Sequence, residues 1–113
     1  MKLLSAVQLF RGLCDRTRVR ILNVMAQAGG LTATDLADLL ERPRSTVARH
    51  LRYLYRCRLV TVEHKANEVF YALRTEDDPL HNDVVRLIRR RLIQIEGVEK
   101  DNRRLRVLVT SRK

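Results

Sequence analysis

Apolar positions in this chain recur at helical spacing in five stretches, and the rhythm breaks once into two short strand-like runs. Leu3, Val7 and Phe10, widened by Ala6 and Leu13, make the stripe of a first helix over residues 3–13. Asp15 is placed to cap a second helix from about Arg16 to Ala28, with Ile21, Leu22, Val24, Met25 and Ala28 on its apolar face. Gly29-Gly30 ends it. Thr32 and Asp35 have the spacing of a capping pair just ahead of Leu36, Leu39 and Leu40. Pro43 suits a turn or a first helical turn but no helix interior. A further helix then runs from about Ser45 to Cys57.

Beyond Cys57 the period shortens. Leu59-Val60-Thr61-Val62-Glu63-His64 and Val69-Phe70-Tyr71-Ala72-Leu73 have the composition of strands. Between them, Lys65-Ala66-Asn67-Glu68 is short and polar, and Asn67 tolerates the positive φ of a hairpin turn. Thr75-Glu76-Asp77-Asp78-Pro79 opens the last long helix, with acids at the end its dipole favours. Leu80, Val84, Leu87, Ile88, Leu92 and Ile95 continue it on one side to about Glu96. So small a domain has little core left for that stripe to cover. Leu3, Val7, Phe10, Val84, Leu87, Ile88 and Leu92 are therefore expected at a dimer contact, a reading compatible with some of them also covering the chain's own core. Past Gly97 the basic tail, with Arg103, Arg104, Arg106, Arg112 and Lys113 around Leu105, Val107, Leu108 and Val109, is expected to add a short helix or strand and to end solvated.

The helix from Ser45 to Cys57 organises the rest. At 100° per residue, Val47, Leu51 and Leu54 fall on one side, and Ser45, Arg49, Arg52 and Arg56 on the other, flanked by Thr46 and Tyr53. One face packs while the other offers guanidiniums and hydroxyls, as a helix lying in a DNA major groove requires. An amphipathic helix with a merely solvated basic face is the alternative; the preceding helix and turn favour recognition. Lys65, near the hairpin tip, can reach a phosphate strand or a minor groove, or belong to a plain structural hairpin.

Bulk composition agrees. The 113 residues suit one domain, and 45% hydrophobic content allows a modest core. A net charge of +10 calls for an anionic partner, of which nucleic acid is the commonest for a small domain. An anionic membrane surface would want bulky anchors, and the chain has no Trp; at 4% aromatic content it also lacks the platforms of a single-strand binder. No apolar run approaches the ~20 residues that span a bilayer. The opening Met1-Lys2-Leu3-Leu4-Ser5-Ala6-Val7 is like a signal peptide, but Gln8 and Arg11 interrupt it, and a retained helix is expected. Two distant cysteines make no disulfide framework, so a cytoplasmic location is the expectation.

At this point the residues resemble a family. Leu13-Cys14-Asp15-Arg16-Thr17-Arg18-Val19-Arg20-Ile21-Leu22 is similar to the leader of ArsR-type transcriptional repressors, usually Leu-Ala-Asp-Pro-Thr-Arg-Leu-x-Ile-Leu. Asp35-Leu36-Ala37, Ser45-Thr46-Val47-Ala48-Arg49-His50-Leu51, Leu59-Val60 and Val69-Phe70-Tyr71-Ala72-Leu73 follow in order and in register, covering about 9–74. The resemblance implies a mainly α fold with a small antiparallel β-hairpin: a winged helix-turn-helix, dimeric through its first and last helices. It implies one domain over 1–113, with the helix-turn-helix at about 32–57, the wing at about 59–73 and a C-terminal dimerisation helix at about 79–96. It further implies a homodimeric DNA-binding repressor on an inverted-repeat operator in double-stranded DNA, with contacts from Arg44, Ser45, Thr46, Arg49, His50 and Lys65. Charge and facing add Arg52 and Arg56, as phosphate contacts.

The departures bear on control. Where many family members place a Cys-x-Cys metal pair, this chain has Thr32 and Thr34, which are not thiolate ligands. Asp77, Asp78, His81 and Asp83 stand near the start of the last helix, without the second His that the family's other metal site uses. No metal, cofactor or membrane partner is expected, and the effector is unassigned. Arg58 stands where a glycine is usual before the first wing strand, so a differently shaped helix end is expected. Cys57, between Arg56 and Arg58, and Cys14 admit a thiol-based redox reading, which the helix C-terminus opposes; ordinary small residues are the better expectation. A winged-helix module that binds another protein is the remaining alternative. With histidines dispersed at 50, 64 and 81, and neither nucleophile elbow nor phosphate loop, no constellation supports an enzyme.

Overall fold

The computed structural model describes residues 1–112; Lys113 of the basic tail lies outside the described residues. Six helices and one hairpin follow in order: α1 Leu3–Arg11, α2 Arg16–Gln27, α3 Ala33–Leu40, α4 Arg44–Arg56, β1 Val60–Lys65, β2 Glu68–Leu73, α5 Pro79–Arg91, a 3-10 turn Leu92–Gln94, and α6 Glu99–Ser111. The architecture is the winged helix-turn-helix expected from the sequence, with α3 and α4 as the helix pair and β1–β2 as the wing.

Helix α2 is the axis of the core. Its start is fixed by Asp15, whose carboxylate accepts the Arg18 backbone N–H at 3.1 Å. Ile21, Leu22, Asn23, Val24 and Met25 are buried in succession, so α2 is enclosed on nearly every side. Leu9, Leu36, Leu40, Leu51, Leu54, Leu59 and Ile88 close around it from the other elements. Gly12, at the bend between α1 and α2, lets the α4–β1 connection approach: a Cβ there would collide with Leu59 Cδ1.

The hairpin pairs Val60 with Leu73 through Lys65 with Glu68 in antiparallel register. Ala66 and Asn67 both take positive φ, 52° and 63°, the conformation of a two-residue type I′ turn. Leu31 adds a third rung, exchanging both backbone hydrogen bonds with Tyr71 at 2.8 and 3.0 Å. That bridge carries the wing on the end of the α2–α3 connection.

The packing of α1, α5 and the tail bears on the expected dimer contact, and α5 corrects it in part. The stripe Leu3, Val7 and Phe10 faces outward (82%, 37% and 48% exposed), and Leu9, between the stripe positions, is what α1 buries. On α5, Val84 and Ile88, with Leu92 just beyond, are enclosed in the protein's own core against α2; of the four expected dimer positions there, only Leu87 remains available. The tail is no solvated appendage through most of its length. It forms α6, which lays Leu105 on the core and buries Asp101 and Asn102. From Val109 to Arg112 every residue is exposed, the solvated end that was expected. Among the described residues no helix is long and apolar enough to cross a membrane.

Candidate nucleic-acid interface

The α3–α4 pair is set by its ends. Thr32 Oγ1 accepts the Asp35 N–H and an Asp35 carboxylate oxygen accepts the Thr32 N–H, each at 3.0 Å, the reciprocal capping box that the spacing predicted. Glu41 closes α3 in the left-handed region with φ 52°, and the Arg42 N–H returns to the Ala37 carbonyl at 3.1 Å. Pro43 is extended, and its carbonyl accepts the first α4 hydrogen bond from Val47 at 3.1 Å.

Burial of Val47, Leu51 and Leu54 then dictates what α4 turns outward. Arg44, Ser45, Arg49, Arg52 and Arg56 are exposed and Thr46 is half-buried at the flank. The helix carries no acidic residue, so its outer face is uncompensated positive charge. Lys65 is exposed at the hairpin turn. Tyr55, 52% exposed beside the wing residues Val62 and Tyr71, belongs to the same surface and was not singled out from the sequence.

His50 is placed differently from its expected role. Its ring is turned against the start of α2, with Nδ1 3.8 Å from Asp15 Oδ2 and 3.5 Å from Arg18 Nη1. Burial holds its pKa below the usual histidine value; Asp15 pulls upward, but Arg18, Arg49 and Arg42 pull further down. A neutral ring accepting from the Arg18 guanidinium at Nδ1 fits that direction. His50 is thus a joint between α4 and α2, and it is corrected out of the outward set.

Arg18 is the residue that sequence reasoning left without a role. It donates to the carbonyls of Gly12 at 3.2 Å and Arg11 at 2.9 Å, and its guanidinium lies 4.2 Å from the centre of the Tyr53 ring. One side chain therefore ties the end of α1 and the start of α2 to the flank of α4. Its only sequence signal was membership of the leader motif.

The other chemical candidates do not assemble. Cys57 is buried, and burial pushes its thiol up despite Arg18, Arg56 and Arg11; Cys14 is exposed. Cys57 is therefore not the arginine-activated thiolate that its neighbours in sequence suggest. Thr32 is engaged in its cap. His81 is 1% exposed with Nε2 2.9 Å from the Arg74 carbonyl, Asp78 caps α5 through the His81 N–H, and Asp83 faces solvent with Arg86. Among the described residues no group of three or more His, Cys, Asp or Glu is placed to hold a metal ion.

Arg58 keeps a glycine's backbone without being one. At φ 64° it follows Cys57, with its N–H on the Tyr55 carbonyl and the Leu59 N–H on the Leu54 carbonyl, both at 3.0 Å. That is a Schellman end, the shape a glycine would give. The expected departure in shape is absent.

Comparison with known proteins identifies the family. Residues 15–62 match the bacterial regulatory protein, arsR family. The chain is 31% identical over 70 residues to the arsenical resistance operon repressor of Bacillus subtilis, covering 62% of this chain and 67% of that one. It is 30% identical over 73 residues to a cadmium resistance transcriptional regulatory protein CadC homolog of Staphylococcus aureus, covering 65% of this chain and 60% of that one. Among solved structures it is similar to HlyU from Vibrio cholerae, with TM-score 0.66 and 27% identity over 80% of this chain and 95% of that one.

Proposed function

This chain belongs to the arsR family of bacterial regulatory proteins, DNA-binding regulators rather than enzymes, and we propose that it acts as a homodimeric repressor on an inverted-repeat operator. The observation that carries the reading is the outer face of α4, where Arg44, Ser45, Arg49, Arg52 and Arg56 stand exposed with no acid on the helix. Arg44, Ser45, Thr46 and Arg49, at the start of α4, read base edges in the major groove. Arg52, Arg56 and Lys65 hold phosphates and fix the register. His50 supports the helix through Asp15 and Arg18.

Two copies meet through α1, whose Leu3, Leu4, Val7 and Phe10 are exposed, together with Leu87 of α5. The N-terminal amine lies 3.3 Å from an Asp78 oxygen, which sets the beginnings of α1 and α5 near each other. Binding both half-sites of an inverted repeat one helical turn apart requires the dimer to hold its two α4 helices roughly 34–36 Å apart. Control proceeds without a Cys-x-Cys metal site, since Thr32 and Thr34 occupy those positions. The relatives' arsenic and cadmium signals are properties of those proteins.

The test is duplex binding. Wild-type protein is used to enrich a randomised duplex pool, and the enriched sequence and a random duplex are then compared across a salt series. An enriched inverted repeat, bound roughly 10³-fold more tightly than random duplex and weakening steeply with salt, is the expected result. Weak, equal binding to both would transfer the chain to the protein-interaction reading. Repeating the titration with Zn(II), As(III) and peroxide then asks whether any of them releases the complex.

A further inference from the structure

Helix α6 lies outside the segment 15–62 that matches the family, yet it grips α3, the first helix of the DNA-binding pair, at both ends. The last carbonyls of a helix have no internal partner. In α3 the last two are satisfied by guanidiniums from two other helices: Leu40 O accepts from Arg20 Nη2 at 2.8 Å, and Leu39 O from Arg104 Nη1 at 3.1 Å. Asp101, 2% exposed, organises the donors. It accepts from Arg20 Nε at 2.8 Å and Nη2 at 3.0 Å, and its Oδ1 stands 3.7 Å from Arg104 Nη1. Arg104 also reaches Glu41, the left-handed residue that ends α3, at 2.8 Å. From Glu41, only Arg42 and Pro43 remain before the recognition helix begins at Arg44. At the far end, Arg112 donates to Asp35, the acidic half of the capping box.

We propose that Asp101 and Arg104 are positioning residues for sequence recognition: by holding the Leu39, Leu40 and Glu41 end of α3, they set the turn that aims the start of α4. The inference rests on the DNA-reading role of α4 given above. A buried carboxylate is tolerated only when it is fully paired, and removing it leaves Arg20 and Arg104 close together without a counter-ion. Those guanidiniums then separate and release the α3 end. Base-edge hydrogen bonds demand a fixed angle of approach, whereas phosphate contacts by long flexible side chains tolerate a shift. Loosening the turn therefore costs discrimination before it costs general affinity.

The experiment uses the full chain carrying Arg104→Gln, Asp101→Asn or, as control, Arg103→Gln, which removes the same charge from an exposed neighbour. Each is titrated against the duplex enriched by the wild-type protein and against random duplex, with far-ultraviolet circular dichroism confirming the fold at the assay temperature. Arg104→Gln and Asp101→Asn are expected to lower the operator-to-random affinity ratio by about tenfold or more. Random-duplex affinity and the salt slope stay as in the wild type, and Arg103→Gln keeps the wild-type ratio. Arg104 is partly exposed, so Arg104→Gln carries the test even if Asp101→Asn fails to fold. An unchanged ratio in a folded Arg104→Gln protein overturns the inference, as does a parallel fall on both duplexes. If the wild type enriches no sequence, the proposed function falls and takes this inference with it. Discrimination by the wild type and equal discrimination by the variants sinks this inference alone.

Discussion

Arg49 stands near the middle of the arc that α4 turns away from Val47, Leu51 and Leu54, one turn on from Ser45. A guanidinium there reaches guanine edges, and a good bidentate contact is worth about 1–3 kcal/mol of discrimination. Arg49→Ala is expected to weaken operator binding by that amount while leaving random-duplex binding nearly intact, with specificity relaxed at one base pair. Equal losses on both duplexes in a filter-binding titration would make Arg49 a phosphate contact instead. His50 makes a prediction about stability. Burial, with Arg18, Arg49 and Arg42, depresses its folded-state pKa below 6.5, so the unfolded chain binds its proton more readily. Its contribution is complete above 6.5 and is lost as pH falls through the lower folded value. Urea midpoints taken downward from about pH 8 should therefore decline near and below 6.5 in the wild type and decline less in His50→Gln. The lowered carboxylates Asp15, Asp35 and Glu76 act only in the acid range below their ordinary 3.8 to 4.5, so the two windows separate. Parallel pH curves for the two proteins would remove His50 from that role.

Elements whose signals are local were legible in the sequence. The Thr32–Asp35 box, the Asp15 cap and the Asn67 turn each depend on residues within three or four positions, and each formed as its chemistry requires. Helix α6 was legible only as a short helix or strand, because two of its three buried residues are polar. Asp101 and Asn102 lie beside Leu105 on the packed side, satisfied mainly by Arg20, Asn23 and Gln27 of α2, with Asn102 also donating to the Ile93 carbonyl. A search for apolar periodicity passes over such a stripe, since its partners lie some eighty residues away, as the 79-residue separation of Asn23 and Asn102 illustrates. Leu9 was missed for a related reason: α1 has a wider apolar stripe that faces solvent, and periodicity alone does not say which face meets the core. The end of α4 gives this scale its own prediction. Arg58 holds φ 64°, which costs a residue with a Cβ about 1 kcal/mol relative to glycine, and its side chain pairs with Glu76 at 3.0 Å through Nε. Arg58→Ala and Arg58→Gly lose the same ion pair, so their difference isolates the backbone. Arg58→Gly should be the more stable of the two by about 1 kcal/mol in chemical denaturation; equal stability would mean that the helix end relaxes when the pair is lost.

The molecule is a core wrapped around α2, with exposed charge on α4 and exposed apolar residues on α1 and α5 among others. A chain with net charge +10 gains nothing from bringing copies together unless apolar contact outweighs the repulsion. In the proposed dimer, Leu3, Leu4, Val7, Phe10 and Leu87 would supply that contact, each more than a third exposed in the single chain. In the proposed dimer the second half-site would bind at the effective concentration set by the first. Avidity of this kind contributes on the order of 10²–10⁴ in affinity without any new contact to DNA. The double variant Phe10→Glu, Leu87→Glu places two carboxylates in that surface while sparing Leu9, Val84 and Ile88, so the fold is expected to survive. Sedimentation should then find a monomer where the wild type is a dimer, and affinity for the full inverted repeat should fall toward that for a single half-site. Binding to the half-site alone should not change. A wild type that sediments as a monomer, or a variant that keeps both its dimer and its operator affinity, would move the interface off α1 and reopen which face of the molecule lies on the two-fold axis.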